Sequence, residues 1–201
     1  MNTLLQKHSS ELKNTLENVA EFHSQIEMVA QQMKEAFARG NKVLVAGNGG
    51  SAAEAQHLSD EMVGRYKDNR AAYPVVALTA DSMVITCIGN DFGFENIFKR
   101  QVEALGREGD IFMGLTTSGN SQNILNAAEQ ARAQGMTVIA MSGPKGKLKD
   151  MADYAIISPS ETNARIQELH LHAIHLLCEL FEESVPVMDV KGPGEDMNIE
   201  A

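Results

Sequence analysis

Basic charge is scarce in this chain. Its 201 residues carry 17 Lys and Arg against 27 Asp and Glu, a formal net charge of −10 at pH 7. Nucleic-acid phosphates demand a basic face, so general nucleic-acid binding is not expected. The same deficit bears on small anions. A phosphate site here is expected to rest on backbone N–H and hydroxyl groups rather than on a lysine cluster. Cysteine is nearly absent as well. Cys87 and Cys178 form no C-x-x-C pair and read as reduced packing thiols of a cytosolic protein. No apolar run approaches the eighteen or so residues of a membrane span. The N-terminal MNTLLQKHSSELKN lacks the basic-then-apolar layout of a signal peptide. The expectation is a cytoplasmic chain with no membrane partner. No internal repeat and no linker interrupts it, and its length suits one domain over 1–201.

What the chain does have is an alternation of strands and helices. Apolar residues recur at helical spacing from about Thr3 to Arg39, which predicts two leading helices. His23-Ser24 is the expected break, with Ser24 as N-cap and Glu27 at the capping-box position. Gly40-Asn41 should stop the second helix. Their apolar stripe needs a surface, either the chain's own sheet or a partner subunit. Short apolar runs at Val43–Ala46, Val75–Leu78, Ile111–Leu115, Thr137–Met141 and Tyr154–Ile157 read as strands. Helical patterns separate them. Asp81-Ser82 should cap a short helix, a loop should follow at Gly89–Phe94, and a last long helix is expected over Asn163–Glu183. The acidic 184–201 segment reads as a mobile tail. The pattern implies an α/β fold, a three-layer sandwich with a five-stranded parallel sheet flanked by helices and preceded by the two N-terminal ones. Ligands in such sheets sit at the carboxyl ends of the strands.

Two polar loops fall at that edge. In the first, Gly47-Asn48-Gly49-Gly50 leads into Ser51, which with Glu54 offers a capping box. The loop also fits the loose dinucleotide pattern G-x-G-x-x-G/A. The acidic partner expected about twenty residues on is missing, because Asp81 lies about thirty on. The second loop, Thr116-Thr117-Ser118-Gly119-Asn120-Ser121, offers hydroxyls and N–H groups at a helix start. Alone it is an ordinary turn. Paired with the first at one sheet edge, it favours a phosphorylated small molecule. His57 and Glu61 are four apart and share a helix face, as a metal pair, an acid/base pair or a solvated ion pair. Gln167 and His175, eight apart on the last helix, lie on neighbouring faces. His8, His23, His170 and His172 read as surface or satisfied core histidines.

Four segments together, AGNGGSAAEAQHLSDEMVGRY, IGNDFGF, TTSGNSQNI and ARIQELHLHAIH, closely resemble the sugar isomerase (SIS) domain family of phosphoheptose isomerases. The resemblance runs to about Glu183. It implies interconversion of sedoheptulose 7-phosphate and D-glycero-D-manno-heptose 7-phosphate, for ADP-heptose and lipopolysaccharide synthesis. It also implies a homotetramer with active sites at subunit interfaces. By the same resemblance, Asn48, Gly49, Gly50 and Ser51 match the substrate loop, and Asn90 and Asp91 a further substrate contact. Thr116, Thr117, Ser118 and Ser121 match the phosphate loop, and Arg65 a further active-site position. His57, Glu61, Gln167 and His175 match a zinc site with one zinc per subunit. Glu61 is expected to serve as base and His175 as acid, with Gln167 also touching substrate. Some members carry an acidic residue where this chain has Ala164. The alternative from another class is a non-catalytic SIS protein that binds the replication initiator. Such a relative lacks the carboxylate corresponding to Glu61. A third, a sugar-sensing SIS module, usually comes fused to a further domain.

Overall fold

The strand Val43–Gly47 buries both faces, so its side chains sort by parity. Val43 and Val45 point to one side of the sheet, and Leu44 and Ala46 to the other. A computed structural model of the chain describes residues 2–17 and 19–183. Its elements are α1 (Asn2–Leu16), α2 (Ala20–Ala38), β1 (Val43–Gly47), α3 (Gly50–Val63), β2 (Val75–Ala77), α4 (Ser82–Phe92) and α5 (Lys99–Leu105). They continue with β3 (Ile111–Thr116), α6 (Gln122–Ala133), β4 (Thr137–Ser142), α7 (Leu148–Met151), β5 (Tyr154–Ile157) and α8 (Asn163–Glu182). The five strands form one parallel sheet in the order β2-β1-β3-β4-β5. Helices α2, α3 and α8 cover the face that carries Val45, Met113 and Ile139. Helices α4 to α7 cover the face that carries Leu44, Phe112 and Val138. The expected three-layer sandwich is therefore observed.

Three local expectations are corrected. The first break falls between Leu16 and Ala20, not at His23-Ser24. Phe22, Ile26, Val29 and Met33 form one continuous buried stripe of α2, and burial of Phe22 outweighs the capping tendency of Ser24. The capping box at Ser51 does not form. Gly49 is the N-cap of α3 with φ +56°, a conformation that favours glycine. Ser51 is buried within the first turn, and Glu54 turns toward α8. The loop expected at Gly89 begins later: α4 runs on through Phe92, which places Asn90 and Asp91 on its last turn. The cap by Asp81 is present, accepting from Met83 N and Val84 N at 3.0 Å each. The expected tail, 184–201, lies outside the described residues.

Of the two surfaces foreseen for the leading helices, the chain's own sheet is taken by one of them. Helix α2 packs on the chain's own sheet. Helix α1 leaves Leu4 and Leu5 60% and 65% exposed. Among the described residues no helix is long and apolar enough to cross a membrane. The two cysteines differ: Cys87 is exposed and Cys178 buried, and burial pushes the Cys178 thiol up to about 12, well away from reactivity.

Asp110 holds the start of the β1–β3 ladder. Its buried carboxylate accepts from Asn41 Nδ2 at 3.2 Å, Lys42 N at 3.0 Å and Arg107 N at 2.9 Å, and pairs with Lys42 Nζ. Burial alone would raise its pKa, but these donors together hold it below the ordinary carboxylate value. A depressed carboxyl contributes stability above its unfolded pKa of about 3.9 and loses it as pH falls through the folded value. D110N turns an amide donor toward donors and should cost about 1–3 kcal/mol near neutral pH. The gap from wild type should close below about pH 4. Urea denaturation across pH checks both, and a pH-independent gap would contradict the assignment.

Candidate active site

Loops that leave β1 and β3 at their carboxyl ends lie side by side, because the connections from these neighbours run to opposite faces of the sheet. The chain leaves β1 through Gly47-Asn48-Gly49 and enters α3 at Gly50. A Cβ on Gly50 would stand 2.3 Å from Gln167 Nε2, so the Gln167 carboxamide of α8 rests directly on this loop. Across the gap, Thr116 ends β3 and its hydroxyl lies 3.3 Å from Ser118 Oγ and 3.1 Å from Ser121 Oγ. Ser118 Oγ accepts from Asn120 N at 3.2 Å. Ser121 is the N-cap of α6 yet its side chain caps nothing, so no side chain blocks the helix start from an anion. A cavity of about 390 Å³ lies between the loops, lined by Asn48, Phe94, Glu95, Ser121, Gln122 and Asn123. That volume is in the range of small-molecule sites.

A His/Glu cluster stands where α3 and α8 pack together. His57 and Glu61 are a turn apart on α3, and His175 approaches from α8. The two imidazole Nε2 atoms are 3.1 Å apart, and His57 Nε2 lies 3.7 Å from Glu61 Oε1. One ligand atom from each of His57, Glu61 and His175 lies within 4.8 Å of the others. Two ligands each about 2.0–2.1 Å from a tetrahedral zinc stand roughly 3.3 Å apart, so the group fits a divalent metal. Tyr66 packs its ring 5.4 Å from that of His175. Burial pushes its phenol above the ordinary value, against the opposing charge of Lys67. On the outer side of α8, burial and the neighbouring His23 and His175 hold His172 below the usual imidazole value.

A family model described as the SIS domain matches residues 7–143. A phosphoheptose isomerase of Aquifex aeolicus is 48% identical over 180 residues, covering 89% of this chain and 93% of that protein. The chain belongs to the SIS domain family of phosphoheptose isomerases. Solved phosphoheptose isomerases of Francisella tularensis and Neisseria gonorrhoeae superpose with a TM-score of 0.82 each, at 38% and 37% identity. They cover 89% and 90% of this chain, and the match spans 98% of each of them.

Within this SIS domain the expected site residues fall into three groups. His57, Glu61 and His175 meet one another, and Gln167 meets the glycine loop. Asn48 faces the hydroxyl loop, where Thr116, Ser118 and Ser121 form their own hydroxyl cluster and Thr117 is half-buried beside them. Arg65, Asn90 and Asp91 stand apart. Arg65 donates to Asn69 at 2.7 Å, and Asn90 donates to Asp91 at 2.7 Å, all on exposed surface.

Other contacts at the site escape a reading by spacing. Asn123 pairs with Asn48; the available signal is an Asn in the first turn of a helix, where it is a weak former. His170 is fully buried with its Nδ1 3.5 Å from Glu54 Oε2, and neither ring nitrogen has a hydrogen-bond partner. Arg70 is a third. It donates to the carbonyls of Glu61 at 2.6 Å and Met62 at 2.9 Å, at the end of α3. Beside it, Glu182 on α8 accepts from the backbone N–H groups of Tyr66, Lys67 and Asp68 at 3.1, 2.8 and 3.2 Å. Together they clamp the turn that carries Arg65 and Tyr66. R70K cannot fork between two carbonyls and should lower stability by about 1–3 kcal/mol. In E182A, amide exchange at Tyr66, Lys67 and Asp68 should accelerate while core strands keep their protection. Unchanged exchange at those three amides would remove the clamp.

Proposed function

We infer that this chain is a sugar-phosphate isomerase that converts sedoheptulose 7-phosphate to D-glycero-D-manno-heptose 7-phosphate. Its place is the cytoplasmic route to the ADP-heptose of lipopolysaccharide, and the working unit is one SIS domain over 1–201. One observation carries the reading. A His/Glu cluster on α3 and α8 is joined through the Gln167–Gly50 contact to the glycine loop, and through Asn48–Asn123 to the hydroxyl loop. Proton-transfer groups and a neutral phosphate cradle thus share one edge of the sheet. The names of the relatives supply the substrate class.

The reaction moves a carbonyl from C2 to C1. Glu61 takes a proton from C1 of the ketose while His175 gives one to O2, leaving an enediol. Glu61 then returns its proton to C2 as His175 takes the O1 proton, and both groups end as they began. Thr116, Thr117, Ser118 and Ser121 hold the phosphate with hydroxyls, in keeping with the acidic chain. Asn48, Gly49, Gly50 and Ser51 face the sugar, as does Gln167. His57, Glu61, Gln167 and His175 would hold one zinc per subunit, which supplies positive charge beside the reacting oxygens. The initiator-binding alternative has no use for Glu61, which here sits within the cluster.

Assembly as a homotetramer accounts for two further features. Leu4 and Leu5 on α1 and Met83 and Phe92 on α4 are exposed, with Phe94 beside them, and patches of this kind mark interfaces. Arg65, Asn90 and Asp91 would complete an active site shared between subunits.

E61Q and H175A should each lower kcat for sedoheptulose 7-phosphate by about 10²–10⁴-fold. A chelator should lower wild-type activity, and zinc should restore it. Near-wild-type turnover in either variant would overturn the assignment. No conversion by the wild type with zinc restored would overturn the function. Light scattering in solution should give four times the 21.9 kDa chain mass; a monomer would refute the interface site.

A further inference from the structure

The side chain of Asn48 is the only one on the Gly47–Gly50 turn. A run of glycines has the largest backbone freedom to lose, so whatever pins Asn48 pins the turn. Asn48 Nδ2 donates to Asn123 Oδ1 at 2.9 Å, and Asn123 Nδ2 donates back to Asn48 Oδ1 at 2.8 Å. Asn123 is 3% exposed and comes from the first turn of α6, directly after the hydroxyl loop. The reciprocal pair therefore ties the loop after β1 to the loop after β3, on the wall of the cavity between them. It also occupies the Asn48 carboxamide, whose oxygen and one of whose N–H groups are engaged by Asn123.

Resting on the isomerase reading above, we propose that Asn123 is a positioning residue for this site. It sets the distance between the sugar and phosphate subsites by holding Asn48. The glycine turn then presents backbone N–H groups to the sugar, with the Asn48 side chain as the anchor that holds it in place. The chemistry of the pair is restrictive. Each partner must offer a donor and an acceptor side by side, which a carboxamide or a protonated carboxyl does and a carboxylate does not.

The test is a double-mutant cycle on the full chain, with N48A, N123A and N48A/N123A, together with N123D assayed from pH 5 to pH 8. N48A and N123A should each raise KM for sedoheptulose 7-phosphate on the order of tenfold with a smaller change in kcat. The double variant should be no worse than either single one, because the pair acts as a unit. In N123D a carboxylate oxygen opposes the Asn48 oxygen at neutral pH. Its KM should fall back toward wild type as pH drops toward the carboxyl range, while that of N123A should not. Should N123A fail to fold, N48A and N123D carry the comparison. Additive effects would mean that Asn123 does not act through Asn48 and would overturn the proposal. So would an unmoved KM, or N123D following the wild-type pH profile. The same variants are read by calorimetric binding of the sugar phosphate. A wild type that binds without turning over fails the isomerase reading and leaves the binding cycle to decide this one; a wild type that does neither overturns both.

Discussion

Five register pairs join β1 to β3, from Val43 opposite Ile111 to Gly47 opposite Leu115, and every contact of the site depends on that ladder. Chain order reverses here. β1 sends its connection to the face of α3, and β3 sends its own to the face of α6. Two loops that would otherwise diverge are left adjacent with an open crevice between them. Asp110 anchors the ladder at its start through Lys42 and Asn41, and the Asn48–Asn123 pair closes it at its end. The cavity lies beyond the carboxyl end of the ladder, between the loops that leave β1 and β3.

The second dependency is the packing of α3 against α8. Neither helix holds a complete cluster: α3 offers His57 and Glu61, and α8 offers His175. Polar contacts join the pair at both ends. Near the glycine loop, Glu54 meets His170 in the interior. At the far end, Arg70 and Glu182 grip the last carbonyls of α3 and the turn beyond it. Buried groups with open hydrogen-bonding atoms cost about 1–3 kcal/mol each, so an interior of this kind is maintained against a purely apolar alternative. What it secures is the relative placement of two helices whose facing imidazoles stand 3.1 Å apart.

Much of this was legible from residue patterns. All five strands lie where short apolar runs stand, and the central ones, buried on both faces, need little else. The glycine and hydroxyl loops were legible because strand-to-helix junctions in parallel sheets converge on one edge. Local signals failed where burial opposed them. Ser24 has the chemistry of a cap, but Phe22 and Ile26 required an unbroken helix. Ser51 and Glu54 have the spacing of a capping box, but Gly49 turned the chain first and Glu54 found His170.

The sequence by itself determined the layer architecture, the two loops and the candidate acid/base residues, because hydrophobic period and residue chemistry are local properties. It also determined the neutral character of the hydroxyl loop, through its shortage of cations. Only the tertiary structure decided which distant residues meet. His57 and His175 are separated by 118 positions, and Asn48 and Asn123 by 75. No periodicity carries such a pairing. It follows from the order of strands in the sheet and from how two helices lie across one face, and both are settled by burial summed over the whole core.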